Sequence, residues 1–467
     1  MVPMVLPLYS YLQRAFLSFP FQKKSVPYER SFLNLCQNNF DKIGMIRIIF
    51  SFILLNSTIF IIAHAGEWNQ HRGPFSNNSS DESVYSPNWL SSPTAVEWKS
   101  ETPLGFSSFT TYDDSAFTLI AEEDEDGLMR EICISLDLKT GKRQWSTHLG
   151  IMDYKAGGGN SGASDNKGGD GPRSTPSVLD GKVWAYDSDM SLHCLSARDG
   201  KLIWRINILK EHSGINPRWE NASSPLIVDD LVIIYGGGPE ESFLAFDKNS
   251  GKVKWKTGSE LATHATPILT KIHGVEQVIF FCQSGLVSLL PKSGKELWRQ
   301  EFPYKVSTAA SPVVAGELVY CSAGYGVGAG LYKISKQGTK FSSSQVWRKP
   351  NDVINHWSTP VYHDGHLYGM FSFKKYGDGP LQCVELKTGR VKWSAEGYGP
   401  GNVILAGNNL LALSDKGELS VVAASSSHYK QLARKKLITG KCWSTPTLSK
   451  GKVLVRSTEE AVCLSVK

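Results

Sequence analysis

Six prolines open short apolar runs, at Pro176, Pro225, Pro267, Pro312, Pro360 and Pro446, and each follows a small residue. Three positions before them stand Arg173, Ala222, His264, Ala309, Trp357 and Trp443, with His356 one position further back. If the prolines mark equivalent points of one repeated unit, these side chains fall on a single ring. Neighbouring loops add Arg218, Trp219 and Tyr325. Two guanidinium groups, two imidazoles and several aromatic rings on a concave rim would suit an anionic, peptide or sugar ligand. The same residues could instead cap the ring, filling its centre and bonding its backbone. A metal on His264 and His356 has less support, because no acidic or His partner stands at ligand spacing in the sequence.

The unit that would position them is clearest between Ser223 and Trp255. Leu226–Val228 and Leu231–Tyr235 are apolar, Asp229-Asp230 between them is turn chemistry, and Phe243–Phe246 follows the glycines Gly236–Gly238. After Asn249-Ser250-Gly251 the chain turns into Lys252–Trp255, where Val253 and Trp255 alternate with lysines. The spacing predicts four short strands. A Gly followed four positions later by Trp recurs at Gly141/Trp145, Gly200/Trp204, Gly251/Trp255, Gly294/Trp298 and Gly389/Trp393, with Lys or Arg directly after each Gly. A unit of this period cannot bury both its faces alone and must stack on its copies. Pro, lacking a ladder donor, belongs at the first residue of a strand.

These repeats predict an all-β chain folded as a single β-propeller of four-stranded blades, eight by count, with seven as the alternative. Blade five is stretched by Ser342–Ser344, and blade seven, Val403–Ala433, has lost both the Pro and the Trp. Val96–Lys99 with Trp98 reads as a fourth strand without its first three, whereas Thr447–Lys467 supplies three strands without a fourth. Joining them closes the ring and removes an open sheet edge. The propeller therefore spans 96–467, behind a lead-in segment at 66–95.

Residues 1–44 show no period and read as an extension without structure, either spurious or unfolded. Arg47, an apolar run from Ile48 to Ile62, and Ala63-His64-Ala65 before Gly66 make the three-part pattern of a cleaved export signal over 45–65. The run is shorter than the ~20 residues of a membrane span, so an uncleaved anchor is the lesser reading. Removing 1–65 takes the formal charge from +6 to about +2. A mature chain so weakly charged lacks the footprint of a nucleic-acid binder. The glycine-rich stretch Tyr154–Arg173 is too long for an ordinary connection and reads as a surface loop or a lid over one mouth of the ring. Cys194 and Cys383 share a slot six residues before the turn Gly, where Ala245 and Ser288 stand in other copies, which points to small buried strand residues. Disulfide pairing after export is left open. No Cys-x-x-Cys, Gly-x-Ser-x-Gly, P-loop or dinucleotide fingerprint occurs.

The Gly-Lys-x-x-Trp turn with its preceding Leu-Asp, at Leu136-Asp137, and the like Phe246-Asp247, resembles the tryptophan-docking repeat of the quinoprotein-alcohol-dehydrogenase-like propellers. Together with WNQHRGP at Trp68–Pro74, DGPRSTP at Asp170–Pro176, NPRW at Asn216–Trp219 and AGYGVGAG at Ala323–Gly330, it is most similar to the PQQ-like repeat proteins of the BamB outer-membrane assembly type. The resemblance implies that Trp145, Trp204, Trp255, Trp298 and Trp393 each pack on the next blade's turn. In the dehydrogenases it would imply PQQ beside an adjacent-Cys disulfide, with Ca²⁺ on acidic and amide ligands. Here no cysteines are adjacent and no motif supplies the ligands or a base, so no catalytic residue is assigned. BamB lipoproteins carry a lipidated Cys after the signal, where this chain has Gly66. The leading expectation is an exported, cofactor-free scaffold that binds an envelope protein or peptide. A PQQ-dependent oxidoreductase with an atypical site and a carbohydrate or polyanion binder are the alternatives. N-terminal sequencing of the exported product should read from Gly66; a start far from it would remove the export-signal assignment.

Overall fold

The computed structural model describes residues 66–82, 89–152, 171–371 and 379–466. The readings of 1–44 and 45–65, and nearly all of the glycine-rich stretch, lie outside the described residues.

Eight antiparallel sheets follow one another along the chain. In the third, Leu226–Val228, Leu231–Tyr235, Phe243–Asp247 and Val253–Thr257 run from the centre outward. The eighth joins Thr447–Ser449, Lys452–Arg456 and Glu460–Ser465 to the early strand Val96–Glu101, so the ring has eight blades and is closed by its N-terminal strand. Apolar residues on both faces of each sheet pack against the adjoining blades. One cluster, for example, joins Ile233, Tyr235 and Phe243 of blade three to Val278, Phe280 and Val287 of blade four.

The tryptophan repeat has a geometric cause. Ala245 pairs with Trp255 but Phe246 pairs with Val253, leaving Lys254 as the extra residue of a β-bulge. The same shift precedes Trp98, Trp145, Trp204, Trp298, Trp347 and Trp393. A bulge re-aims the side chain that follows it, here toward the next blade. The residue opposite is small in six of the seven, Cys463, Ser135, Cys194, Ala245, Ser288 and Cys383, and is Leu331 opposite Trp347. The indole N–H groups of Trp98, Trp145, Trp255, Trp347 and Trp393 donate to Leu138, Ala197, Pro291, Leu386 and Ser425 carbonyls of the following blade, at 2.7–3.1 Å. Gly251 has φ +70°, and a Cβ there would lie 2.9 Å from Trp204 Cδ2, so only glycine satisfies both the turn and the ring. The preceding Asp247 caps this turn, accepting from the Asn249 and Ser250 N–H groups.

Two of the tryptophans depart from this pattern. Trp204 covers Gly251, but the Lys248 carbonyl it would use receives the Trp184 indole N–H at 3.2 Å. Trp298 donates to Gln277 Oε1 of its own blade at 2.7 Å. Blade five connects Gly328–Gln337 to Lys340–Lys349 by two residues only, a shorter turn than those the other indoles meet.

The small residue before each proline is a hydroxyl. The N–H of Thr445 donates to Ser108 Oγ, Ser108 to Thr175 Oγ1, Thr175 to Ser224 Oγ, Ser224 to Thr266 Oγ1 and Ser311 to Thr359 Oγ1, at 2.8–3.0 Å. Each bond crosses from one blade to the next and together they form a girdle round the channel. Ser311 Oγ spans the gap between blades four and five by donating to the Thr266 carbonyl.

The lead-in segment is structural. Thr111 N–H donates to the Trp68 carbonyl, Val178 N–H to Asn69 O, Arg72 Nη1 to Pro312 O, Asn78 Nδ2 to Thr359 O and Leu405 N–H to Asn78 O. Residues 66–82 thus visit the innermost strands in turn, and Ser79–Ser80 adds a parallel fifth strand to blade seven. Where the ends of the chain meet, the fully buried Arg456 donates to five carbonyls, of Thr102, Leu104, Ser107, Leu119 and Ser457, and to the Thr118 hydroxyl. The seven described cysteines are buried and free.

Trp255→Ala should lower stability in urea by about 3 kcal/mol, at the low end for a large ring because Trp255 is half-buried. Arg456→Met, which leaves several buried carbonyls unpaired, should cost at least about 3 kcal/mol. Midpoints equal to the parent's would remove these roles.

Candidate functional site

In each blade the loop before the innermost strand opens on the same mouth, and the residues drawn from the six prolines do gather there. They form two groups. In the first, aromatic rings follow one another: Phe106 to Trp443 at 4.7 Å, Trp443 to Trp357 at 4.7 Å, Trp357 to His356 at 4.9 Å and His356 to Tyr325 at 5.2 Å between centroids. Lys441 lies over Trp443 at 4.5 Å. In the second group, Arg218 lies over the Trp219 ring at 4.9 Å, Arg173 donates to the Trp219 carbonyl and His264 Nε2 donates to the Arg218 carbonyl at 2.8 Å. The Arg218 charge reaches Tyr325 and Tyr304, linking the groups, although burial holds both phenols above their ordinary range. Ala222 and Ala309 contribute no bulk between them.

Local backbone sets this display. Trp219 and Glu220 have φ of 72° and 62°, a left-handed pair that neither residue prefers, in the turn that presents the Trp219 ring. The residues differ in freedom. His356 and His264 are buried, Trp219, Trp357, Trp443 and Tyr325 are half-buried, and Arg218 is exposed. Trp357 also has a structural bond: its indole N–H donates to the Pro400 carbonyl at 3.0 Å, bridging blades six and seven where the girdle has no hydroxyl. The Trp443 indole N–H, by contrast, has no hydrogen-bond partner among the described residues.

Proline counting missed Phe106 because blade one lacks the proline. Ser108 takes the place that Thr175 has in blade two, so Phe106 stands where Arg173 does. Aligning hydroxyls would have found it. Lys441 and Tyr304 carry no such mark.

An eight-bladed ring of four-stranded sheets held by bulge-directed tryptophans defines a PQQ-like β-propeller. The chain belongs to the family described as outer membrane protein assembly factor BamB, whose model matches residues 128–395. It is 23% identical over 228 residues to the tetrathionate hydrolase of Acidithiobacillus ferrooxidans, a match covering 49% of this chain and 38% of that protein, well under two thirds of the relative's length. Among solved structures, quinohemoprotein alcohol dehydrogenase from Comamonas testosteroni superposes with a TM-score of 0.61 at 14% identity, over 87% of this chain and 82% of that one. BamB from Moraxella catarrhalis does so at 0.54 and 14% identity, over 78% and 96%. At such identities the likeness is one of fold.

The rings and guanidinium groups could face a planar anion, but no two cysteines are adjacent in the sequence. No group of three or more His, Cys, Asp or Glu side chains comes together among the described residues.

Burial, and then the Arg173 charge, push the His264 imidazole down to about 4. Burial and Arg72 likewise push His71 down to about 3. The unfolded chain therefore takes up protons first as pH falls through 6.5, and stability present above that pH is lost between about 6.5 and 3, the His264 share by about 4. The urea midpoint should fall over this range, and less steeply in His264→Gln. A flat profile in the parent would contradict it.

Proposed function

We propose that this chain is an exported, non-catalytic propeller of the cell envelope whose open mouth holds a protein or extended peptide. The observation that carries the reading is the half-buried arc from Phe106 through Trp443 and Trp357 to Tyr325, faced by Arg218. Amphipathic rings beside a guanidinium are the side chains that dominate binding hot spots. The family's description as an assembly factor supports the same class of role. Among the described residues no helix is long and apolar enough to cross a membrane. Export rests on the Arg47–Ala65 pattern.

The test separates mouth from fold. Trp443 makes no hydrogen bond through its indole and Arg218 is exposed, so Trp443→Ala and Arg218→Ala should melt within a few degrees of the parent. A partner crosslinked to the parent in envelope preparations should be reduced roughly tenfold for the double variant, as loss of one anchor implies. Equal crosslinking would place the partner elsewhere. Saturable binding of PQQ with Ca²⁺ to the purified parent would replace this reading by an oxidoreductase.

A further inference from the structure

Two arginines, Arg72 and Arg456, are almost wholly buried, at 2% and 1% exposure, and burial alone pushes each down to about 9. Arg456 donates to six protein oxygens at the ring closure and its burial is explained by the fold. Arg72 is different. Nη1 reaches the Pro312 carbonyl at 3.3 Å, Nε has no partner among the described residues, and no carboxylate contributes to its electrostatics. Burying a guanidinium with so little compensation is costly. The lead-in nevertheless places it there, with Arg72 itself at φ 67° and the Asn78 N–H closing the turn on the Arg72 carbonyl.

Arg72 lines a cavity of about 450 Å³ between the lead-in and the innermost strands of blades four, five and six. That volume lies in the range of about 300–1,000 Å³ that holds small organic ligands. Its other walls mix apolar residues, among them Phe75, Ile268, Val313 and Tyr362, with Ser76, Asn77, Thr270, Lys271 and Glu276. Phe75 is 52% exposed. A guanidinium whose Nε has no partner among the described residues matches a carboxylate, and the apolar part of the walls matches a hydrocarbon body.

We infer that this cavity is a second binding site, separate from the aromatic mouth, for a small amphipathic monocarboxylate whose head pairs with Arg72 and whose chain lies along Phe75, Ile268 and Val313. The inference does not depend on the function proposed for the mouth.

Octanoate is the probe, titrated calorimetrically into the full chain. Saturable one-site binding is expected, with octanol, acetate and inorganic phosphate each weaker by roughly tenfold or more, since each lacks the body or the carboxylate. Octanol or phosphate binding as tightly as octanoate would overturn the assignment, as would no octanoate binding at millimolar concentration. Arg72→Gln should reduce affinity by roughly tenfold or more. Because that variant could fail to fold, Phe75→Ser, altered at an exposed ring, serves as the second: it should melt like the parent and bind several-fold more weakly. Unchanged affinity in Phe75→Ser, or an Arg72 Nε–H resonance that does not move on octanoate addition to the parent, would refute the site.

Discussion

The N–H of the residue before a strand-opening proline donates to a hydroxyl of the next blade, and the rest of the ring is arranged about that bond. It fixes the spacing of the innermost strands at the neck of the channel, where side chains from all blades compete for little room. The proline that follows has no N–H and so needs no further acceptor, and the hydroxyl accepts the one N–H that remains. At the outer margin the bulge-directed indoles repeat the link through a different chemistry. Every junction is thus held near the axis by a polar bond, and five of the eight are also held at the periphery by a ring on a glycine, Trp98 on Gly141, Trp145 on Gly200, Trp204 on Gly251, Trp255 on Gly294 and Trp347 on Gly389, with an apolar layer between.

Where one link is missing another takes over. Blade seven has neither the proline nor the tryptophan, and there Trp357 donates to the Pro400 carbonyl while Asn402 Nδ2 donates to the Trp443 carbonyl at 2.6 Å. The long hairpin of blade five cannot receive Trp298, and Gln277 accepts its indole within blade four. The Trp357 side chain therefore serves both the ring and its rim, whereas Trp443 serves the ring through its carbonyl and leaves its indole N–H unbonded. This division explains how a mouth can vary in chemistry without loosening the neck below it.

Much of the fold was legible because it is periodic. The Gly-to-Trp spacing located five outer positions, and the incomplete ends of the chain, with Trp98 on the early strand, pointed to their own closure. The rim followed from the same register, as far as the prolines extended. What stayed hidden has no period. Trp68 to Asn78 reads as a polar lead-in because its partners are backbone groups and hydroxyls of strands far along the chain, and a backbone group leaves no trace in sequence. Trp184 is another case: it sits on a second strand, outside the repeat, yet takes the carbonyl that spacing would assign to Trp204. Arg456 reads as one more basic residue near a terminus, and only burial shows that it serves as a clamp.

The closing strand also governs the order in which the molecule can be made. Lys99 meets Glu460 across 361 residues, and the lead-in touches innermost strands from blade one to blade eight. A chain growing from its N-terminus must carry Val96–Glu101 as an unpaired strand until the last blade exists. Contacts of such long range are slow to form and leave a sheet edge open meanwhile. Blades two to six, each complete in itself, can form while the chain is still being made. The terminal segments are the last to settle, and the interval before they do is when the molecule is most exposed to pairing with a second copy.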